Sequence, residues 1–509
     1  MLWAAHILLR LHAAFLTVLT RDNSTAVDPA SRLLSEYFRC SADLAEFSTF
    51  GPPSPQSGYF RLGPEAICYG SCTAVIPARS AIGPLQDVRE LVVVDEGSVR
   101  LPFDPVHVIS NLRFERYLEP HLAGDFTPLR NSLLRRLYYS LRPLLPDASR
   151  RYLQSLYYRY QSLSSFPRWP VDRSVEELFE QLLILAIRSR NLSRVPFIWF
   201  WPDALSSCVI LTHDVETSAG VEFCPRMMDL ADSFGIKSSF QIVPEERYPM
   251  PESLLNTMRA RGFEVNLHDL NHDGNLFAHP AEFSSRARRI NDHARRLGAQ
   301  GFRSGCLYRN IDWYDAFEFS FDMSVPNVAR LDPQQGGCCT VMPFCAGKIL
   351  ELPLTTTQDY VLFYILKQHS IKLWQEQFRL IHEKHGLTSF LIHPDYVRGN
   401  CEREVYMDLL AYLRDQRSSG EAWIALPSQV ATWWRLRSKM RLAMRDGSWK
   451  IEGEGSERAV LAFAVLDGDT LKYEVEAPTR LVDTSAGQRM SVRSGAADAG
   501  PLDFCGVVQ

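Results

Sequence analysis

CVILTHDVETSAGVEFCPRMMDLADSFGIKSSFQIV, residues 208–243, reads as an apolar run, a helix-forming stretch that closes on Gly235, and a second apolar run. The texture repeats downstream in FEVNL (263–267), KILELPL (348–354), SFLIH (389–393) and AWIAL (422–426), with Gly262, Gly298 and Gly386 closing intervening helices. Strands that alternate with helices build a parallel sheet or barrel, because a right-handed crossover returns each strand in the same direction. We therefore expect an α/β fold whose (β/α) unit spans residues 201–437.

The polar residues of interest fall where the β-runs end, the face on which parallel α/β folds assemble sites. THDVE (212–216) places Asp214 and Glu216 two residues apart, so on a continuing strand both side chains lean to one face. HDLNH (268–272) places His268 and His272 four apart, which lets both imidazoles reach one metal if the backbone turns helically. One carboxylate with two histidines makes a catalytic zinc shell that leaves a position for water. Arg303 follows GF, and His393 ends SFLIH. Each of these residues alone reads more simply as a strand-end charge, a cap or a surface histidine. Their joint occurrence at strand ends points to one shared site.

From residue 208 to about 397, somewhat under half its length, the chain resembles the NodB-homology polysaccharide deacetylases, carbohydrate esterase family 4. The resemblance is carried by THDVE, HDLNH, FRSGCLY (302–308), LTTTQDY (354–360) and FLIHPD (390–395) in the family's order, with HDLNH and LIHPD the most specific. It implies a distorted (β/α) barrel and a divalent metal, zinc first, with cobalt, nickel or manganese as alternatives. By this resemblance Asp214 is the base, and Glu216, His268 and His272 hold the metal. Arg303 orients Asp214, His393 is the acid, and Asp359 tunes it. The implied reaction removes an acyl group, N-acetyl first, from an amino sugar of a polysaccharide or glycan, so the expected partner is carbohydrate. Two departures stand out. Val215 separates Asp214 from Glu216 where the family's usual first motif has adjacent aspartates, and spacing leaves open a swap with Asp214 on the metal and Glu216 as base. Ser304-Gly305-Cys306 lacks the third motif's usual proline, which bears on the substrate groove more than on the metal.

These residue types suit hydrolysis of an amide. A bound metal acidifies water and polarises an acyl carbonyl, while Asp214 accepts a proton. Arg303 keeps Asp214 ionised, a backbone N–H near Tyr308 is the expected oxyanion donor beside the metal, and a protonated His393 serves the departing amine. Asp359 against His393 is expected to raise its pKa and fix its tautomer. His213 should point away from Asp214 as a packed core histidine, and His279, His382 and His385 read as surface residues. Two other readings share the fold: a non-catalytic carbohydrate-binding relative, and a hydrolase of another non-peptide C–N bond. A variant HExxH zinc-protease helix is opposed by Asp273-Gly274, which follows HDLNH too closely for a long helix.

Outside this unit the chain divides into an irregular β-containing region at 1–111, a helical connector at 112–200, a small β-rich piece at 438–482 with Asp-Gly turns at Asp446 and Asp467, and a disordered tail at 483–509. Ser174 and Glu177 have capping-box spacing. The interleaved Arg and Tyr of RNSLLRRLYYSLRPLL (130–145) and RRYLQSLYYRYQSL (150–163) read as packing faces, and RARRINDHARR (286–296) as a solvated one. The net charge of -4 carries no basic footprint for nucleic acid. Eleven scattered cysteines suit a reducing compartment. The apolar start at residues 1–20, broken by His6, Arg10 and His12, is neither a clean signal peptide nor a clean span and reads as an amphipathic helix or an extended start to the reading frame. Together these favour a cytoplasmic location and leave membrane association and oligomeric state open.

Overall fold

The computed structural model describes residues 29–73, 75–118 and 166–476. The apolar start, the two Arg/Tyr stretches and the Gly/Ala/Ser tail lie outside the described residues. No helix among those described is long and apolar enough to cross a membrane.

Short extended runs separated by turns make small sheets, and the described residues of the first part of the chain form two. β1 (Glu46–Thr49) pairs in parallel with β5 (Ser98–Leu101), which also pairs antiparallel with β4 (Val93–Asp95), while β2 (Gly58–Leu62) and β3 (Ala66–Gly70) form a hairpin. The helix Ser174–Ser189 packs on this region and leads into β6 (Arg194–Ile198). The capping box expected at its start is not formed. Ser174 is already helical, and its amide is taken by the carboxylate of Asp172 at 2.9 Å, while Glu177 faces Arg168 and Arg173 instead.

The βα repeats build one nine-stranded sheet: β7 (Ser207–Val215), β8 (Ser239–Ile242), β9 (Glu264–His268), β10 (Gly301–Arg303), β11 (Phe321–Asp322), β12 (Phe344–Ala346), β13 (Ile349–Glu351), β14 (Leu387–Leu391) and β15 (Ala422–Ala425). Its order is β12-β13-β11-β10-β9-β8-β7-β14, all parallel except the β12-β13 hairpin, and it curls into an open half-barrel of the distorted (β/α) kind. β7 is buried along its whole length, as a parallel strand covered on both faces must be. One of its edges is shared: β15 pairs with Ser207–Ile210 and β8 takes over at Thr212. Its alternate residues enter different cores. Cys208 and Ile210 join the cluster that holds the first part of the chain, and Val209 and Leu211 join the cluster under the outer helices. At β10 the strands approach so closely that a Cβ on Gly301 would stand 2.1 Å from the Phe321 ring.

Side-chain hydroxyls bridge the gap between the end of β13 and β14. Thr355 donates to the carbonyl of Leu387 and Thr356 to that of Ser389, both at 2.8 Å, and the Ser389 amide donates back to Thr355 at 2.8 Å. LTTTQDY is thus a seam that substitutes hydroxyls for a backbone ladder.

Beyond β15 the described chain returns to β6, just ahead of the sheet. After the helix Pro427–Lys439, β16 (Arg441–Arg445) and β17 (Ser448–Glu452) form a hairpin, and β18 (Leu461–Asp467) pairs antiparallel with both β19 (Thr470–Val475) and β6. His385 belongs to this junction and is not a surface residue. It packs against Trp199 with ring centroids 4.6 Å apart, burial pushes its pKa down to about 4, and it takes the left-handed conformation (φ 55°) expected at Gly386. His382 is likewise half-buried, with Nδ1 3.1 Å from the Ser207 hydroxyl, whereas His279 is exposed.

A buried ion pair ties the first part of the chain to the barrel. Glu115 receives Arg309 Nε at 2.7 Å and a second guanidinium hydrogen bond, and Arg309 has no exposed side-chain surface. Glu115→Ala would strand that guanidinium in the interior, and the prediction is a loss of about 3–5 kcal/mol, read as a lower urea midpoint. A midpoint equal to that of wild type would show that the pair does not hold the two parts together.

Candidate metal centre

The even-numbered residues of β7 go from apolar to polar as the strand rises, from Cys208 and Ile210 through Thr212 to Asp214, so the barrel has an apolar floor and a polar mouth. His213 points the other way, as expected. Its Nδ1 is 3.0 Å from the Ile392 carbonyl and its Nε2 3.1 Å from the Ser238 hydroxyl, and burial pushes its pKa down to about 4.

At the mouth Glu216, His268 and His272 place one ligand atom each within 4.8 Å of one another. Glu216 Oε1 is 3.0 Å from His272 Nε2 and 3.7 Å from His268 Nε2, while Asp214 Oδ2 is 3.7 Å from His268 Nε2. His268 is fixed from behind, since its Nδ1 donates to the Arg303 carbonyl at 3.2 Å and leaves the Nε2 lone pair for the site. The two histidines do not share a helical turn. Asp269 (φ 59°) and His272 (φ 54°) both take left-handed conformations, and this double bend turns the second imidazole back toward the first. The bend leaves no room for a side chain at residue 305, because a Cβ on Gly305 would lie 2.3 Å from the Asp269 carboxylate.

Both imidazole Nε2 atoms are buried without a hydrogen bond among the described residues. Orphaned imidazole nitrogens next to a carboxylate fit a divalent cation with nitrogen and oxygen ligands, which would satisfy all three groups. Burial alone would raise the Glu216 carboxyl, but His272, His268 and His393 hold it well below the ordinary range; burial would lower His272, but Glu216 raises it above 6.5.

Asp214 and Arg303 face each other from β7 and β10, almost wholly buried, with Arg303 Nε 3.7 Å from Asp214 Oδ1. That separation is a charge pair rather than a hydrogen bond. The guanidinium also donates to the Thr212 hydroxyl at 3.1 Å. Deeper in the barrel Asp322 and Glu351 are register neighbours on β11 and β13. Burial and the adjoining Asp322 raise Glu351 well above the carboxylate range, so the pair holds a proton.

His393, two residues beyond β14, completes the mouth. Its Nδ1 is 2.6 Å from Asp359 Oδ1, its amide donates to Asp359 Oδ2 at 2.7 Å, and its Nε2 is 3.7 Å from Glu216 Oε1. Burial works against the charged ring, but Asp359, Glu216 and Asp214 outweigh it and push the pKa up to about 10.

The structure therefore brings together all seven residues singled out from sequence. The backbone N–H expected near Tyr308 is not free: it donates to the Gly305 carbonyl at 3.2 Å, and the Leu307 amide donates to Ser304 at 3.3 Å. Two residues escaped the sequence reading. Asp395 accepts from the Glu216 amide at 3.3 Å and from the Thr217 hydroxyl, holding the turn after β7. Arg286 grips both Asp273 oxygens at 2.8 and 2.9 Å and so anchors the loop carrying His272, although it belongs to a stretch read as a solvated face. The D of LIHPD was the only available signal for Asp395, and nothing local marks Arg286 among its neighbouring arginines.

The fold is similar to that of solved polysaccharide deacetylases. A Mycobacterium smegmatis protein assigned to that class is 15% identical over 49% of this chain and 98% of its own, with a TM-score of 0.39. The Puue allantoinase is 12% identical over 46% of this chain and 92% of its own (TM-score 0.37), and the Bacillus subtilis peptidoglycan deacetylase PdaC is 14% identical over 45% and 93% (TM-score 0.30). No family model and no curated protein matches the chain.

Metal-stripped protein titrated with zinc should bind about one ion per chain, and His272→Ala should weaken binding by about a hundredfold or more. The raised His272 pKa sets the pH dependence. Its proton is retained below the ordinary value of 6.5 and leaves as pH rises through the raised one, so zinc affinity should climb across that range. Calorimetry showing no saturable zinc binding at any pH would remove the metal centre.

Proposed function

We propose that the chain is a metal-dependent hydrolase that removes an acyl group, N-acetyl first, from an amino sugar of a glycan. One observation carries this reading: two orphaned imidazole nitrogens and a carboxylate converge on one point, flanked by a buried carboxylate and a buried, carboxylate-backed imidazole. The amino-sugar substrate follows from the resemblance of the five motifs.

A divalent cation held by Glu216, His268 and His272, zinc in the first instance, would supply Lewis acidity toward an acyl oxygen and acidify a water. Asp214 is the base. Glu216 lies within 3.7 Å of both histidines, whereas Asp214 approaches His268 at that same distance and faces Arg303 on its other side, which supports Glu216 as ligand and Asp214 as the group kept for proton transfer. His393 donates to the departing amine. Asp359 holds the proton on Nδ1 and turns Nε2 toward the mouth, while its charge keeps the ring protonated at neutral pH. The Tyr308 and Leu307 amides are engaged in their own turn.

Acetate release from N-acetylated glucosamine oligomers tests the assignment. Asp214→Asn should lower turnover by about a thousandfold while zinc stays bound, and His268→Ala should lose both. Equal rates for Asp214→Asn and wild type would remove Asp214 from the base role. His393 keeps its proton below its raised pKa and loses it as pH rises through about 10. Asp359→Asn, which removes the raising charge, should therefore bring the alkaline limb of the rate profile down toward the ordinary histidine value. An alkaline limb that stays put would separate Asp359 from the acid.

A further inference from the structure

The loop that follows β8, residues 243–248, is tied to both turns that carry the candidate ligands. Toward the turn after β7, the Tyr248 hydroxyl donates to the Val215 carbonyl at 2.6 Å and accepts the Val243 amide at 2.8 Å. Toward the turn after β9, the Glu245 amide donates to the Leu270 carbonyl at 3.1 Å, and Asn271 donates to the Glu246 carboxylate at 3.1 Å. Glu245 is held from a third side by His293 Nε2 at 2.8 Å and by Arg289. Glu246 itself takes a left-handed conformation (φ 66°), which a glutamate keeps only where its surroundings impose it.

This fixed loop presents Arg247. Its Nε donates to the carbonyl of Glu216 at 3.1 Å, and its charge reaches His272, where it opposes protonation of the ring. The guanidinium thus stands at the rim of the metal centre, beside the turns that carry Glu216 and His272. Arg286, Arg289, Arg303 and Arg309 each face a carboxylate, at Asp273, Glu245, Asp214 and Glu115. Arg247 faces none among the described residues. Its side chain is exposed, its two terminal nitrogens have no partner among the described residues, and the adjacent Glu246 is turned to Asn271. The bond to Glu216 braces the turn with one nitrogen and leaves the planar fork of the other two available. That fork matches a carboxylate or a phosphate, which can take two parallel N–H bonds from it.

We propose that Arg247 is a specificity-determining residue that reads an anionic group, a carboxylate or a phosphate, on the sugar whose acyl group is removed at the metal centre. This rests on the amino-sugar reading above. The substrate class it selects is an acidic N-acylated sugar, held at the rim by its charge while its acyl group lies over Glu216, His268 and His272.

The test is calorimetric titration of three probes into the zinc-loaded full chain: N-acetylglucosamine, N-acetylglucosamine 6-phosphate, and N-acetylmuramic acid, whose lactyl ether adds a carboxylate. Wild type, Arg247→Gln and Arg247→Lys are compared, each with a thermal melt to confirm folding. We expect wild type to bind at least one anionic probe about fivefold or more tighter than the neutral one, Arg247→Gln to bring that ratio toward one, and Arg247→Lys to restore part of it. Added salt should shrink the preference in wild type, because the pair is exposed to solvent. The phosphate and carboxylate arms show which anion is read. Wild type without a preference overturns the proposal, and so does a preference that survives in Arg247→Gln, as it would if the anion sat on the zinc alone. Loss of zinc binding in Arg247→Gln also overturns it, by making the side chain a brace of the Glu216 turn. Acetate release from the same probes keeps the two readings apart. A preference that depends on Arg247 without release by wild type sinks the hydrolase and leaves the anion site standing. Release at equal KM for neutral and anionic probes sinks the anion site alone.

Discussion

A guanidinium with no access to solvent must find its counter-charge inside the protein, and much of the barrel mouth is organised by where Arg303 stands. Its side chain faces Asp214 and rests on the Thr212 hydroxyl, with the Asp322–Glu351 pair below. Its carbonyl receives both His268 Nδ1 and the Asp269 amide, at 3.2 and 2.8 Å. One residue thus faces the proposed base and aims one of the proposed ligands. The guanidinium has a second neighbour of opposite sign in Glu351, but burial and Asp322 keep that carboxyl protonated.

Around this centre the work divides between two sides of the mouth. One side, built by the turns after β7 and β9, gathers Glu216, His268 and His272, with Asp395 and Arg286 bracing the turns. The other, built by LTTTQDY and the residue pair after β14, carries Asp359 and His393. Elements that precede the sheet in sequence reach both the loop after Tyr308, through Glu115, and the seam, through Trp169. The early part of the chain is therefore packed into the architecture of the mouth rather than strung beside it.

The sheet and the set of seven side chains were legible in the sequence because both have local signatures. Apolar runs ending in THDVE, HDLNH and LIHPD mark a strand and its terminal chemistry in the same few residues. The means of bringing them together was less legible. The double left-handed bend at Asp269 and His272 replaces the helical turn that four-residue spacing suggests, because Asp and His accept that conformation at small cost and Gly305 clears the space opposite. Ser174 and Glu177 have the spacing of a capping box, but Asp172 reaches the amide first. Asp395, Arg286 and Glu115 act on residues 13 to 194 positions away in sequence, and a pattern read along the chain carries no trace of such contacts.

The shared edge of β7 has a consequence for synthesis of the chain from its first residue to its last. Its partners lie at β8, β14 and β15, so the strand bearing Asp214 emerges from the ribosome long before two of the three strands that flank it. Glu216, His268 and His272 are all translated before Arg303, and His393 comes later still. A nascent chain thus holds Glu216, His268 and His272 before the β14 and β15 partners of its central strand have been made. Until Ala425 has been made, the Ser207–Ile210 half of one edge of that strand lacks its partner.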